Sequence, residues 1–248
     1  MDITSNLPTR DVSHETEVVL SPAVSADRKR RLDAIGEVSA AVAHELRNPL
    51  FGISSAAQLL RFRVKDDPVV EKNVGRILHE VERLNNIVTA LLEYGRPNPI
   101  RLTPGDPDTV WDDVLENQRG LLESRALLLH RTRAEPPVRS PIDAPQLAQA
   151  LLNLLVNAAD AAPEGTDLTL QSTRLANGGW HCRLHNTGAA IPADVLPRVF
   201  EIFFSTKPGG TGIGLALCQR IVEEHGGTVA LESSLEQGTS ATVVLPGV

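Results

Sequence analysis

The chain has 248 residues, of which 42% are hydrophobic and 22% charged, and this composition is typical of globular proteins. Its formal net charge of −7 argues against a general nucleic-acid-binding protein, because such proteins present basic surfaces. No apolar run approaches the roughly 18 residues of a membrane span, and residues 1–26 lack a signal-peptide pattern. We therefore expect a cytoplasmic protein that binds neither nucleic acid nor membrane, with Cys182 and Cys218 reduced in the core.

The first half of the sequence predicts a tail and a helical hairpin. Residues 1–26 are polar and without periodicity, which predicts a disordered tail. In residues 27–95, apolar residues recur at steps of three and four in two runs, separated by a break at residues 66–68. The second run keeps the heptad spacing of helices that pack in a supercoil. Two such helices cannot enclose a core alone, so we expect an antiparallel hairpin that forms a four-helix bundle as a homodimer. A monomeric hairpin packed on the other domain is the alternative.

The second half of the sequence predicts a mixed α/β domain. Residues 96–106 contain several prolines and are predicted to be a linker. In residues 107–248, helical patterns at about 107–122, 145–162 and 211–225 alternate with strand-like segments. Helices and strands in this proportion predict a two-layer α/β sandwich, with helices over one face of a mixed sheet. The strand-like segments are residues 127–129, 168–170, 180–184, 229–231 and 241–245.

A histidine on the first helix faces away from the apolar seam. On a helix of 3.6 residues per turn, His44 points about 160–200 degrees from the seam, so we expect it on the surface. A lone surface histidine usually has no special role, but Glu45 adjoins this one and Asn48 lies on its face four residues later. Pro49 then interrupts the helix, and stability gives no reason for a proline there. The cluster therefore indicates chemistry at His44.

This segment, HELRNPL at residues 44–50, resembles the phosphoacceptor H box of the HisKA-type two-component sensor histidine kinases. The resemblance implies that His44 is the phosphorylated residue and that the hairpin is the dimerisation and histidine-phosphotransfer domain. Glu45 is placed to orient the imidazole and to accept its proton. Asn48 is similar to the asparagine of the E-x-x-N pattern, which implies that it positions a water for dephosphorylation of a partner protein.

A second cluster lies on the helix predicted at about 145–162. Asn153, Asn157 and Asp160 share one face, opposite a stripe of leucines. Asparagines four residues apart are unexpected in so apolar a helix for packing alone. The segment resembles the N box of the same family. This implies that Asn157 holds Mg²⁺ and that its neighbours approach the phosphates of ATP, while Asn153 braces the pocket.

A phenylalanine-rich segment and a glycine-rich loop follow. Three of the five phenylalanines stand at residues 200–204, which resemble the family's F box, and a short ATP lid with Lys207 comes next. The loop PGGTGIGLA, residues 208–216, runs directly into a helix. Glycines allow phosphates to approach the backbone, and a helix N-terminus supplies free N–H groups. The loop resembles the G2 box of the GHKL ATPase (Bergerat) fold. The residues implicated here in ATP binding are Phe203, Lys207, Gly210, Thr211, Gly212, Gly214 and Leu215.

The segment HNTGAAI, residues 185–191, departs from the family's pattern D-x-G-x-G. The aspartate of that pattern accepts a hydrogen bond from the adenine amino group, and this chain has Asn186 there and Ala190 in place of the last glycine. A neutral hydrogen bond is weaker than a charged one by on the order of 1 kcal/mol, so we expect weaker but not abolished ATP binding. Ala190 matters only if its position requires a positive φ. Asn186, Gly188 and Ile191 are therefore included among the predicted ATP-binding residues.

Together these motifs span about residues 30–245 and imply an ATP- and Mg²⁺-dependent histidine kinase, most like the NtrB-like branch of the family. The implied reaction is attack of neutral His44 on the γ-phosphorus of ATP, followed by transfer to an aspartate of a response-regulator receiver domain. A phosphatase activity through Asn48 and an upstream sensory partner protein are further expectations. The alternative is a pseudokinase, a binding module with weakened ATP turnover that docks or sequesters a response regulator. A GHKL ATPase of the chaperone or mismatch-repair type does not carry the hairpin with His44.

Overall fold

The computed structural model describes residues 46–64, 67–95, 99–207 and 210–248, with the backbone alone for residues 90–95. The predictions made for residues 1–26, for His44 and for Glu45 lie outside these ranges. Within them, no helix is both long enough and apolar enough to cross a membrane.

Two helices form the hairpin predicted from the heptad spacing. α1 covers residues 46–63 and α2 covers Pro68–Gly95. α2 begins where Asp67 accepts hydrogen bonds from two backbone N–H groups of the first turn. These groups have no partner within the helix, so the aspartate stabilises its N-terminus.

Contacts between the two helices show that they run in opposite directions. Arg61, near the end of α1, pairs with Glu71, near the start of α2, at 2.8 Å. Arg47, near the start of α1, donates to Thr89, near the end of α2, at 3.3 Å. The pair of Arg61 and Glu71 is exposed and contributes little stability, but it marks the register of the hairpin.

The hairpin buries one half of its apolar seam and exposes the other. On α2, valines spaced by seven residues are buried, while the leucine and isoleucine positions between them, Ile77 and Leu84, are 41% and 45% exposed. α1 shows the same division at heptad spacing. The buried residues are Leu50, Ala57, Val74, Val81 and Val88, and the exposed residues of α1 are Leu46, Ile53 and Leu60.

The remaining elements form an α/β domain with the predicted mixed sheet. Its strand order is β2-β4-β5-β7-β6, in which β2 and β4 are parallel and the other neighbours antiparallel. A separate antiparallel pair joins β1 and β3. The elements are β1 (Thr103–Gly105), α3 (Pro107–Asn117), α4 (Arg119–Ser124), β2 (Leu128–Thr132), β3 (Ser140–Ile142), α5 (Ala144–Ala161), β4 (Asp167–Arg174), β5 (Trp180–Asn186), a 3-10 turn (Leu196–Arg198), α6 (Gly214–Glu224), β6 (Thr228–Ser234) and β7 (Gly238–Leu245).

The core lies between one face of the sheet and helices α3, α5 and α6. In β5, the alternate residues Trp180, Cys182 and Leu184 are buried in it, as the period-two pattern predicts. Cys182 and Cys218 are both free and buried, and burial raises the pKa of each thiol to about 12. Both cysteines are therefore protonated core residues, as expected from the sequence.

Several boundaries differ from the predicted ones for local reasons. β1 and β3 are not predicted from the sequence, because each has only three residues, with a proline in the centre. β1 lies within the predicted linker at residues 96–106. The helix predicted at about 107–122 is divided at Gln118 into α3 and α4. α6 begins only at Gly214, because Gly212 has a φ of 67°, which a right-handed helix does not contain.

The start of α5 is tied to neighbouring elements through Asp143. Its carboxylate accepts hydrogen bonds from the backbone of Arg101 (3.0 Å) and of Gln146 (3.2 Å). Its own N–H donates to Nε2 of the buried His225 at 3.0 Å, so the ring proton is on Nδ1, which lies 2.7 Å from the carbonyl oxygen of Ile221. Burial raises the pKa of Asp143, but the hydrogen bonds to its carboxylate outweigh that effect and hold the pKa below its usual value.

Candidate active site

A cavity of about 480 Å³ lies between the sheet, α5, the loop after β5, the segment before α6 and the first turn of α6. Its volume falls within the range of about 300–1,000 Å³ that small-molecule sites occupy. Each of these elements carries one of the sequence segments that predicted an ATP site. The chemistry of the cavity therefore follows from what each wall contributes.

The sheet contributes an apolar wall with one buried amide. Leu184 and Asn186 of β5 pair in register with Ala241 and Thr239 of β7, and Leu231 of β6 continues the same surface. Asn186 is 2% exposed, and its Nδ2 atom has no hydrogen-bond partner among the described residues. A buried donor without an acceptor costs about 1–3 kcal/mol, which a bound ligand can recover. The wall therefore suits a flat heterocycle with a polar edge.

The loop after β5 is held closely against α5 and β6. A Cβ atom at Gly188 would overlap the carbonyl oxygen of Ala161, so only glycine fits at that position. The N–H of Ile191 donates to Oγ of Ser233 at 2.8 Å. Ala190 is not among the described residues with positive φ, so alanine introduces no backbone strain there. The loop is thus fixed at the mouth of the cavity despite its departure from the family pattern.

α5 contributes a polar wall that meets a lysine from the segment before α6. Nζ of Lys207 donates to Oδ1 of Asn157 and to Oδ2 of Asp160, each at 3.0 Å. Arg125 holds the other carboxylate oxygen of Asp160 at 2.6 Å. Asn153 lies one turn earlier on α5, beside Gly214. This wall offers amide oxygens, a carboxylate and the ammonium of Lys207 side by side.

The described part of the chain contains no group of three or more His, Cys, Asp or Glu residues placed to hold a metal ion. A cation bound beside Asn157 would therefore depend on oxygens from a ligand. Mg²⁺ is commonly held in this way, by one or two protein oxygens together with substrate phosphates and water. The donor set on α5 fits a magnesium ion that arrives with a nucleotide.

The loop before α6 is shaped by a glycine that no other residue can replace without strain. Gly212 has a φ of 67°, and a Cβ atom there would lie 2.5 Å from the carbonyl carbon of Phe203 and 2.6 Å from the nitrogen of Phe204. α6 then starts at Gly214, and no described side chain caps it. Its first N–H groups are therefore available to an anion, and the helix dipole favours negative charge at this end.

Phe204, rather than Phe203, is the phenylalanine that lines the cavity. Phe203 is 57% exposed and has a φ of 66°, with its N–H bonded to the carbonyl oxygen of Gly212 at 2.9 Å. The guanidinium of Arg198 lies 4.2 Å from the ring centroid of Phe204, and it also pairs with Glu201 at 3.2 Å. The backbone conformation at Phe203 turns its ring outward and leaves the next ring facing the ligand space.

The structure brings most of the predicted ATP-binding residues to this one cavity. Gly188 does not line it but packs the loop against α5, and Phe203 points to solvent. Asn48 is exposed on α1. The predicted residues that line the cavity are Asn153, Asn157, Asp160, Asn186, Ile191, Lys207, Gly210, Thr211, Gly212, Gly214 and Leu215.

Several residues that line the cavity were not predicted from the sequence. Leu184 could have been found, since strand alternation places it on the same face as Asn186. Leu231, Thr239 and Ala241 reach the cavity through the register of β5, β6 and β7, which a single sequence does not reveal. The motifs therefore predict part of the cavity lining, and the pairing of the strands adds further residues.

Family models match both parts of the chain. Residues 34–99 match the model of the His Kinase A (phospho-acceptor) domain, and residues 142–248 match that of the histidine kinase-, DNA gyrase B-, and HSP90-like ATPase. The sensor histidine kinase ZraS of Klebsiella oxytoca is 35% identical over 219 residues, which are 88% of this chain and 47% of ZraS. This chain belongs to the sensor histidine kinase family.

Other kinases are similar over most of this chain. AtoS of Escherichia coli K12 is 32% identical over 227 residues, which are 87% of this chain and 35% of AtoS. Sporulation kinase D of Bacillus subtilis is 30% identical over 225 residues, which are 90% of this chain and 44% of that kinase. The chain thus spans about half or less of the length of these relatives. ZraS and AtoS are NtrB-like, in agreement with the branch predicted from the lid and loop sequences.

Two solved structures share this fold. Full-length ShkA in complex with AMPPNP superposes with a TM-score of 0.68 at 25% identity, covering 86% of this chain and 46% of ShkA. The histidine kinase ThkA in complex with the response regulator protein TrrA gives a TM-score of 0.68 at 26% identity, covering 91% of this chain and 66% of ThkA. The family's hairpin and ATPase-like domain therefore both have counterparts here.

Proposed function

We propose that this chain is the phosphotransfer core of a sensor histidine kinase that uses ATP to phosphorylate His44 and passes the phosphoryl group to an aspartate of a response regulator. The observation that carries the proposal is one cavity lined by the N-box-like, F-box-like and G2-like segments together. The HELRNPL segment supplies the acceptor histidine within the part of the chain that matches the phospho-acceptor model.

Each wall of the cavity suits a different part of ATP, which supports the proposal. The apolar sheet wall with the amide of Asn186 takes the adenine ring. The glycine loop and the uncapped start of α6 take the phosphates, with Lys207 as their nearby cation. Asn157 would hold Mg²⁺, which when bound spreads the negative charge of the phosphates.

The reaction needs a neutral, nucleophilic imidazole and an acceptor for its proton. One ring nitrogen of His44 attacks the γ-phosphorus, the bond from that phosphorus to the bridging oxygen breaks, and its electron pair leaves with ADP. The proton on the other ring nitrogen passes to Glu45. The phosphoryl group then moves to a receiver aspartate. Asn48 positions a water that attacks the phosphorus of this phospho-aspartate, so that the acyl–phosphate bond breaks and inorganic phosphate leaves.

The exposed half of the hairpin seam supports a homodimer. Ile77 and Leu84 lie on α2 at heptad spacing, and an exposed stripe on α1 accompanies them. Two hairpins that pair these stripes make a four-helix bundle. ATP as substrate and a receiver domain as partner place the reaction in the cytoplasm, with the input signal supplied by an upstream sensory partner.

The test is the transfer of labelled γ-phosphate from ATP to the purified chain in the presence of Mg²⁺. Wild type is expected to acquire an acid-labile label, and His44→Gln to acquire none while binding ATP equally well by titration calorimetry. His79→Gln changes a different histidine, which is exposed on α2, and is expected to keep the label. Label that persists in H44Q would place the phosphorylation elsewhere.

The second candidate is a pseudokinase that docks or sequesters a response regulator. It is favoured by one observation, the amide of Asn186 where the family pattern has a carboxylate. Binding of ATP without any label on wild-type protein would establish this candidate over the kinase. Equal capture of the unphosphorylated regulator by wild type and H44Q would then be its positive evidence.

A further inference from the structure

The side-chain amide of Asn186 is buried, faces the cavity and lacks a partner for its donor. It is 2% exposed, and its Nδ2 atom has no acceptor among the described residues. Buried polar groups are nearly always hydrogen-bonded, because each unpaired one costs about 1–3 kcal/mol. An amide left in this state on the wall of a cavity is therefore a contact for a ligand.

The surroundings of this amide describe the ligand group it meets. Leu184, Leu231 and Ala241 form the apolar surface next to it, on three adjacent strands. The hydroxyl of Thr239, which is paired with Asn186 across the strands, is already bonded to the hydroxyl of Ser233 at 2.7 Å. Nδ2 of Asn186 is therefore the donor beside this apolar surface that has no partner among the described residues. A flat heteroaromatic ring whose polar edge points at Asn186 satisfies both features. On the proposed function, on which this inference rests, that ring is the base of the nucleotide.

The choice of base depends on the order of donors and acceptors along this edge. Adenine presents a donor at its 6-amino group and an acceptor at N1, whereas hypoxanthine and guanine present an acceptor at O6 and a donor at N1. A carboxylate only accepts, so it pairs with the 6-amino group and repels O6. A side-chain amide carries an NH2 donor group and a carbonyl acceptor, and a half-turn of its terminal torsion exchanges their positions. Asn186 can therefore complement either order.

We infer that the base pocket accepts 6-oxopurine nucleoside triphosphates as well as ATP, because Asn186 reads the purine edge with an amide. The substitution of asparagine for the family's aspartate thus changes which nucleotides enter the site, and not merely how tightly ATP binds. Restoring the carboxylate with Asn186→Asp should keep ATP binding as good or better and reject the 6-oxopurine.

The test compares Mg·ATP with Mg·ITP on the full chain by titration calorimetry. ITP carries hypoxanthine, which has the O6 and N1 pattern without the additional 2-amino group of guanine. For wild type, the dissociation constants of ITP and ATP are expected to agree within about tenfold. Asn186→Asp should raise the dissociation constant of ITP relative to that of ATP by at least about tenfold. A larger preference of wild type for ATP, or a ratio that Asn186→Asp leaves unchanged, would overturn the inference.

Controls separate this inference from the proposed function. Asn153→Asp makes the same chemical change on α5, beside Gly214, and should alter both affinities together so that their ratio stays constant. If N153D changes the ratio of the two affinities to the same extent, base selectivity cannot be assigned to Asn186. Should N186D fail to fold, the wild-type ratio alone decides. ATP binding with rejection of ITP defeats only the inference, whereas binding of neither nucleotide defeats the proposed function as well.

Discussion

Nζ of Lys207 lies 3.0 Å from Oδ1 of Asn157. The contact joins the segment before α6 to α5, and the same ammonium also reaches Asp160. Because this is the only lysine among the described residues that line the cavity, Lys207→Gln should weaken ATP binding by about tenfold, as expected for loss of a hydrogen bond to a charged group. Titration calorimetry with Mg·ATP measures the change.

The control for Lys207 is Lys72→Gln, which removes the same charge from an exposed position on α2. ATP binding by K72Q should equal that of wild type. Unchanged binding by K207Q would mean that the contact with Asn157 only organises the empty site.

Gly212→Ala should damage nucleotide binding without unfolding the domain. A methyl group there would press on the backbone of Phe203 and Phe204, and the left-handed conformation costs about 1–2 kcal/mol for a residue with a side chain. Gly120→Ala adds a methyl group in α4, where no described atom lies within 4 Å, and should bind ATP normally. Normal ATP affinity in G212A would show that the loop can move away from Phe203 at little cost.

Asp143→Ala should destabilise the α/β domain in a pH-dependent way. Loss of this cap should lower the free energy of unfolding by about 1–2 kcal/mol near neutral pH. Since the folded-state pKa of Asp143 lies below its usual value, its stabilising effect is present above about pH 4 and is lost as pH falls through that folded-state pKa. The difference between wild type and D143A should therefore shrink in acid.

Urea unfolding followed by tryptophan fluorescence measures this difference. The chain's two tryptophans, Trp111 and Trp180, are both buried in the α/β domain, so the signal reports that domain. Asp143→Asn keeps a capping oxygen without the charge. D143N should retain most of the stability at neutral pH and remove the acid-dependent part, and a pH dependence equal to that of wild type would assign the effect to another carboxylate.

Leu84→Glu should dissociate the proposed dimer. Each hairpin contributes one Leu84, and burial of a leucine is worth about 1.5–3 kcal/mol, so two charged replacements should raise the dissociation constant by at least about a hundredfold. Analytical ultracentrifugation measures it. Leu235→Glu alters a leucine that is 94% exposed in the turn between β6 and β7, and it should leave the dimer intact. A dimeric L84E would move the interface away from this seam.

The elements that follow from sequence are those with a sustained period. The alternation of Trp180, Cys182 and Leu184 predicts β5, and the heptads predict the hairpin, since each pattern repeats over enough residues to exceed chance. The motif residues of α5 and the glycine loop are also local, because helix geometry alone brings Asn153 and Asn157 to one face.

The parts that could not be predicted depend on contacts between distant segments. The pairing of β7 with β5 brings Thr239 beside Asn186, and no local pattern encodes that register. Phe204 lines the cavity instead of Phe203 because the φ of Phe203 is positive. Gly212, nine residues later, leaves room for the backbone at this position because it has no Cβ atom. This backbone conformation depends on the contact between the two segments, so the sequence of either segment alone does not predict it.

The reactivity of the two buried thiols can be used to measure transient opening of the α/β domain. Cys182 lies on β5 and Cys218 on α6, the strand and the helix that flank the cavity, and the chain has no other cysteine. A thiol reagent attacks only an accessible thiolate, so its rate of reaction measures how often these two elements come apart. A nucleotide that binds only the closed domain will lower that rate, and the slowing gives its affinity without any label on the ligand.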